Sequence, residues 1–211
     1  MKESASVYRY QRMQQLMNES PQMDVQEAAD ILRDRLGLDD SDIGLGNEKA
    51  VNQLLAHHSV IFQPAKKLVW VSTSPFQLGD YVCYNIDSVF SVLPKLNEQK
   101  EITVDSLLIW EDNFVDSKEY EDFLFFKNVK QQMQEGLRMD NFTMNYDAVY
   151  SFEKSNPEYY LTYWLLGDYY KKNKQPTEAE ICYEIALTKE IATVPEQKKI
   201  EESLEKLRNA K

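Results

Sequence analysis

Residues 58–73 read HSVIFQPAKKLVWVST, and this stretch decides the fold class. β-Branched and aromatic residues fill both of its ends, and QPAKK in the middle is typical of a turn between strands. A further apolar run at 80–84 predicts a third strand. Strands that are apolar at nearly every position are usually covered on both faces. We therefore expect a small antiparallel sheet that lies between helices or against another sheet.

Helical spacing predicts α-helices on both sides of this sheet, so the expected class is α+β. Near the N-terminus, Asp24 and Glu27 have the spacing of a capping box, and Gly37 would end the helix that follows them. Pro21 would close the preceding helix. That first helix is predicted from apolar residues at helical spacing: Val7, Tyr10, Met13 and Met17.

The second half of the chain is predicted to be helical throughout. Ser117 is placed to cap a long helix that ends near Gly136, and a shorter helix is expected at about 146–154. Pro157, Pro176 and Pro195 each predict a first helical turn. We expect residues 1–110 to form one domain, 111–156 to be connecting helices and 157–211 to form a helical unit.

This last unit carries small and aromatic residues at set intervals: Tyr163, Leu166, Gly167, Tyr170, Ala179, Tyr183 and Ala186. Their spacing resembles one unit of a tetratricopeptide repeat, with 195–211 as a capping helix. Gly167 and Ala179 would let two antiparallel helices approach closely. The closing proline of that family is replaced by Ile191, so an ordinary helical hairpin is the alternative. Either structure predicts packing or a protein partner at the tail, and no catalysis.

The composition excludes several classes of function. A net charge of −11 and a pI near 4.8 argue against binding to nucleic acid or to an anionic membrane surface, because both need clustered Lys and Arg. No apolar run is long enough to span a membrane, and no apolar signal segment follows Met1. We expect a protein without nucleic-acid or membrane partners that stays in the compartment where it is made.

Few residues are candidates for catalysis or metal binding. His57 and His58 are adjacent, so on a strand they point to opposite faces and cannot chelate one ion; one imidazole is expected to face inward. Cys83 and Cys182 are expected to be buried thiols, although Cys83 and His58 could also form a nucleophile–base pair on neighbouring strands. No Gly-x-Ser-x-Gly motif and no phosphate-binding loop occurs. No metal or cofactor is expected.

Three ordered blocks are the most specific part of the sequence: SVYRYQR at 6–12, AHHSVIFQP at 56–64 and LVWVSTSPFQLG at 68–79. Together they resemble the C-terminal part of the acyl-CoA:6-aminopenicillanate acyltransferase-type members of the choloylglycine hydrolase group. Those proteins are cysteine N-terminal-nucleophile hydrolases. The resemblance covers about residues 4–90, a little under half of the chain.

The resemblance implies a four-layer αββα sandwich and a cysteine that self-cleavage exposes at a new N-terminus, with its α-amine as general base. Cys83 and Cys182 both follow bulky apolar residues inside predicted elements, so neither fits this role. The nucleophile is therefore expected outside residues 1–211. Arg9 matches an arginine that helps orient the nucleophile in relatives, and a surface arginine on an amphipathic helix is the alternative. Some relatives are exported, so the resemblance leaves the compartment open.

Three functions follow as hypotheses, of which the third is a self-sufficient hydrolase that uses Cys83. The first is the C-terminal portion of an acyltransferase or amide hydrolase, inactive alone, whose partner is a missing N-terminal half or a second copy bound through the exposed sheet. In that case the apolar patch around Trp70 would lie beneath a partner layer that this chain does not encode. The second is a helical-repeat interaction module with a purely structural β meander.

Overall fold

The computed structural model describes residues 4–92 and 101–209, which form eight α-helices and one antiparallel sheet. The class is α+β, as predicted. The helices are α1 (Ala5–Glu19), α2 (Val25–Arg33), α3 (Ile86–Val92), α4 (Lys118–Gly136), α5 (Tyr146–Ser155), α6 (Tyr160–Lys172), α7 (Pro176–Thr188) and α8 (Val194–Asn209). The strands are β1 (Val60–Gln63), β2 (Leu68–Ser72) and β3 (Tyr81–Asn85).

The sheet has the order β1-β2-β3, and each prediction of a strand is confirmed to within two residues. The turn between β1 and β2 is a short 3₁₀ turn at Pro64–Lys66, after which Lys67 takes a left-handed backbone conformation. The outer edge of β3 is met by isolated bridges from Thr103 and Ile109. Within residues 4–92 and 101–209, no strand pairs with the outer edge of β1.

Helix α2 covers one face of the sheet. Ala29 of α2 packs in one buried cluster with Ile61, Trp70 and Cys83, one from each strand. Trp70 is only 1% exposed, and its indole nitrogen donates to the carbonyl of Leu107 at 2.8 Å. The expectation that the patch around Trp70 faces a missing layer is therefore wrong, because the chain's own helix and the segment at 103–109 cover that side.

Two expectations about the first helices are also wrong. Helix α2 ends at Arg33 and not near Gly37, because Asp34 takes an extended backbone conformation from which its carboxylate binds Arg12. On α1, the expected apolar residues Tyr10 and Met17 are exposed, and the buried residue is Arg12. The capping box of Asp24 and Glu27 is confirmed by both of its hydrogen bonds, of 2.9 and 2.8 Å.

The helices α4 to α8 share a second, larger core. Ser117 caps α4 by accepting the Tyr120 amide at 3.1 Å, as predicted. Pro176 and Pro195 lie in the first turns of α7 and α8, whereas Pro157 precedes α6, which begins at Tyr160. Leu54 and Leu78, from the sheet-bearing part of the chain, are buried in this helical core.

The hairpin of α6 and α7 is held close by one glycine. A side-chain carbon built at Gly167 would lie 2.5 Å from the Tyr183 ring, a distance that no real contact permits. Ala179 is fully buried, and the Tyr183 hydroxyl donates to Asp168 at 2.7 Å. The close approach that the spacing predicts at Gly167 is therefore present.

Candidate functional site

The face of the sheet that points away from α2 is apolar on every strand. Because side chains alternate between the two faces, the register places six residues on this side: Val60, Phe62, Val69, Val71, Val82 and Tyr84. None of them is buried, and Phe62 is 67% exposed. We call these six residues the open sheet face. Soluble proteins rarely leave a contiguous apolar surface uncovered unless it binds something.

The two thiols are buried, as predicted, and neither is placed for catalysis. Cys83 lies on the α2-covered face opposite Trp70, and burial raises the pKa of its thiol. Cys182 packs in the helical core, where burial and the charges of Glu153 and Glu178 raise its pKa to about 12. The thiolate is the nucleophilic form of cysteine, so burial and a raised pKa make both thiols poor nucleophiles in the folded chain.

The histidines do not approach these thiols. His57 and His58 precede β1 and are both exposed, so the prediction of an inward-facing imidazole is wrong. β2 separates β1 from β3, and neighbouring strands lie about 4.8 Å apart. His58 also lies three residues ahead of Ile61, the β1 residue level with Cys83 across the sheet. A pair between Cys83 and His58 is therefore not formed.

Arg9 is held at the surface of α1. Its guanidinium donates to the backbone carbonyl of Glu48 and to the Ser6 hydroxyl, the latter at 3.2 Å. The bond to Glu48 connects α1 to the segment between α2 and β1. Both the resemblance-based role and the surface-arginine alternative are compatible with this position.

Two buried arginines were not identified as structural residues from the sequence. Arg12 binds Asp34 through two nitrogens, at 2.9 and 2.8 Å, and Asp40 at 2.8 Å, which raises its pKa. Arg33 donates to the carbonyls of Leu78, Gly79 and Trp110 and so fastens α2 to the sheet. Asp40, one of three aspartates at positions 39–42, thus also supplies a partner for Arg12.

A second candidate site is a groove of about 480 Å³ along α4 and α6, open to solvent on one side. We call it the α4–α6 groove, and six residues define it: Glu48, Phe123, Lys130, Tyr159, Trp164 and Glu196. The Tyr159 hydroxyl donates to the Glu48 carboxylate at 3.3 Å. The sequence gives no indication of this groove, because its charged residues lie far apart in the chain and follow no motif.

The acidic and basic residues of the groove have shifted pKa values. Burial and, secondarily, the charge of Glu196 raise the pKa of Glu48. Burial lowers the pKa of the Lys130 ammonium, although the charge of Glu48 opposes this shift. Burial and the neighbouring Glu48 raise the pKa of Tyr159. Perturbed pairs of this kind in a concave site are typical of functional sites, although structural charge pairs show them too.

Within residues 4–92 and 101–209, no group of His, Cys, Asp and Glu is arranged to hold a metal ion. No described helix is both long and apolar enough to cross a membrane. The chain matches no protein-family model, no curated protein and no solved structure.

Proposed function

We propose that this chain is a noncatalytic portion of an acyltransferase or amide hydrolase of the N-terminal-nucleophile type. In this proposal it supplies one helical layer and part of one sheet, and polypeptide outside residues 1–211 supplies the nucleophilic cysteine and a second sheet. The observation that carries the proposal is the open sheet face. A sheet covered by a helix on one side and apolar on the other has the surfaces needed for half of an αββα sandwich.

Energetics favour a covering layer over that face. Burying one fully exposed large apolar side chain contributes about 1.5–3 kcal/mol, and each of the six residues of the open sheet face would gain the part of this that its remaining exposure allows. Stacked sheets lie about 10 Å apart, a distance that Phe62, Val69 and Tyr84 could fill with a second set of side chains. No described strand pairs with the outer edge of β1, and this edge offers a place for that partner to continue the sheet.

The burial of both thiols supports the noncatalytic part of the proposal. Acyl transfer by a cysteine requires an accessible thiolate and a base, and neither Cys83 nor Cys182 has them. Arg9 takes a supporting role at most, since its guanidinium is already engaged by Glu48 and Ser6.

The first test reads the gene upstream of Met1 and its neighbouring reading frames. The proposal expects a strand-rich segment with a cysteine after a small residue, on the order of one domain length away, about 100–200 residues. Joined to this chain, that segment should cut itself at the cysteine and turn over acyl amides or thioesters. Its Cys→Ala variant should do neither.

A second test uses the purified chain alone with a panel of acyl amides and acyl thioesters. We expect no turnover, whether or not the thiols have been alkylated. Turnover that disappears on alkylation of Cys83 would contradict the proposal, as would an upstream domain with no strand-rich segment and no self-cleaving junction.

The alternative is an interaction module built on the helical tail. It is favoured by the tight α6–α7 hairpin and by Tyr146 and Tyr150 of α5, which stack at 6.4 Å and are both exposed. A partner that binds through this pair would be lost in a Tyr146→Ser, Tyr150→Ser variant and retained when Phe62 is replaced. The opposite pattern would favour the sheet-based proposal.

A further inference from the structure

The α4–α6 groove is lined by side chains of both charges. Helix α4 contributes Lys127 and Lys130, and the acidic residues of the lining include Glu48, from the segment between α2 and β1, and Glu196 of α8. Phe123 and Trp164 add apolar surface to the same lining. The volume of about 480 Å³ lies within the range of small-molecule sites, about 300–1,000 Å³.

Among the described residues, Lys130 forms no ion pair. No carboxylate of the described residues lies within 4.0 Å of its ammonium nitrogen, and the contact the structure gives that nitrogen is the Phe126 ring, at 5.9 Å. The Lys130 side chain is nevertheless partly buried. A partly buried cation over an aromatic ring is stabilised far more by a bound anion than by the ring alone.

Glu48 and Glu196 are the two carboxylates of the groove that interact with each other. Glu48 accepts a long hydrogen bond from Tyr159, at 3.3 Å; its own backbone and Lys130 also stabilise its charge, whereas Glu196 opposes it. Glu196 accepts from the Thr193 hydroxyl at 2.7 Å. Among the described residues no cation forms an ion pair with either carboxylate, and two neighbouring carboxylates of this kind favour binding of a positively charged group.

We propose that the α4–α6 groove binds a free amino acid with a large apolar side chain. Its ammonium group binds Glu48 and Glu196, its carboxylate binds Lys130, and its side chain packs against Phe123 and Trp164. A small zwitterion of this kind carries both charges and an apolar body, and the groove lining holds side chains that can bind each of them.

The charges that line the groove favour a zwitterion over an ion of a single sign. A ligand with only a carboxylate would reach Lys130 but bring negative charge towards Glu48, Glu196 and Asp168, which all line the groove. A ligand with only an ammonium group would meet Lys127 and Lys130. Like-charge contacts of this kind reject the wrong ligand, so the two single-charge analogues should both bind weakly.

The shifted pKa values agree with this geometry. Burial raises the pKa of Glu48 and lowers that of Lys130, and the charge of each residue offsets this effect on the other only in part. A bound zwitterion would supply the opposite charge to each of them. This inference does not depend on the open sheet face and can be tested separately from it.

Isothermal titration calorimetry of the full chain provides the test. The probes are leucine, methionine, phenylalanine and tryptophan, with glycine, N-acetyl-phenylalanine and phenylalaninamide as comparisons. We expect saturable binding of at least one of the four apolar amino acids, and binding about tenfold or more weaker for its N-acetyl and amide forms, since each has lost one charge-assisted contact. Equal affinity for either blocked form, or no saturable binding by any of the four, would overturn the proposal.

Substitutions of the charged groove residues distinguish a loss of ligand affinity from a loss of folding. Lys130→Gln and Glu48→Gln should each weaken binding about tenfold or more. Lys118→Gln, on the same helix but 72% exposed and outside the groove, is the matched control and should bind as the unaltered chain does. If Lys130→Gln fails to fold, the exposed Lys127→Gln is the second variant. Unchanged affinity in every folded groove variant would refute the assignment.

Discussion

Adjacent residues of β1 offer a direct test of which face of the sheet is covered. Ile61 points towards α2 and is 9% exposed, whereas Phe62 belongs to the open sheet face and is 67% exposed. Replacing a buried isoleucine by alanine costs about 2–5 kcal/mol, so Ile61→Ala should destabilise strongly. Full burial of a phenylalanine is worth about 1.5–3 kcal/mol, and only about a third of Phe62 is buried, so Phe62→Ala should cost about 0.5–1 kcal/mol.

The free energy of unfolding is measured by urea titration of the unaltered chain and both variants, at two protein concentrations. The second concentration is needed because association through the open sheet face would stabilise the folded chain by mass action. At the lower concentration, the loss for Ile61→Ala should exceed that for Phe62→Ala by at least about 1 kcal/mol. In the presence of a covering layer, Phe62→Ala should become the more harmful change.

Phe62→Ala would be hard to interpret if it were tested without Ile61→Ala. Phe62→Ala removes more atoms than Ile61→Ala, so a simple count of lost atoms predicts the opposite order. If Phe62→Ala costs as much as Ile61→Ala at both concentrations, Phe62 is buried by the chain itself. The proposal that the open sheet face awaits a partner layer would then fail.

Four further changes have expected outcomes. Gly167→Ala should lower the free energy of unfolding, measured by urea titration, by about 1–3 kcal/mol, because its new carbon would meet the Tyr183 ring. Adding Tyr183→Leu to the same chain should restore part of that loss. Arg12→Leu should cost about 3–5 kcal/mol, since it leaves the Asp34 carboxylate, only 11% exposed, without its cation; Arg9→Leu is the matched control and should cost little. Cys83 and Cys182 should resist a thiol reagent in the folded chain and react at once in urea; rapid reaction of the native chain would contradict their burial. Burial raises the pKa of Glu48 above its ordinary 4.5, so the folded state binds this proton more tightly than the unfolded state does. The free energy of unfolding should therefore fall as the pH rises from 4.5 through the folded pKa. Glu48→Gln should flatten that fall in thermal unfolding measured across pH, and an unchanged slope would refute the assignment.

Local rules of the sequence predicted much of the secondary structure. The capping box at Asp24 and the N-cap at Ser117 mark the starts of α2 and α4, and the turn at 63–67 separates β1 from β2. These features depend on residues within a few positions of one another, so the sequence pattern contains the whole interaction. The end of α2 was mispredicted because a contact with Arg12, 22 residues earlier than Asp34, decides it.

The covered face of the sheet could not be predicted. All three strands are apolar on both faces, so their alternation does not say which side receives α2. In the same way, an arginine in a helix is normally expected at the surface, and Arg33 is buried only because carbonyls 45, 46 and 77 residues away converge on it.

The sequence by itself therefore determined the α+β class, the strands, the principal caps and the close approach at Gly167. Only the tertiary structure decided that Trp70 lies beneath α2, that Phe62 stands on an apolar face open to solvent, and that Lys130 and Glu48 share a groove. The physical reason is the range of the interactions. Turns and caps are closed by hydrogen bonds between near neighbours, whereas burial and charge pairing depend on segments that meet only when the whole chain has folded.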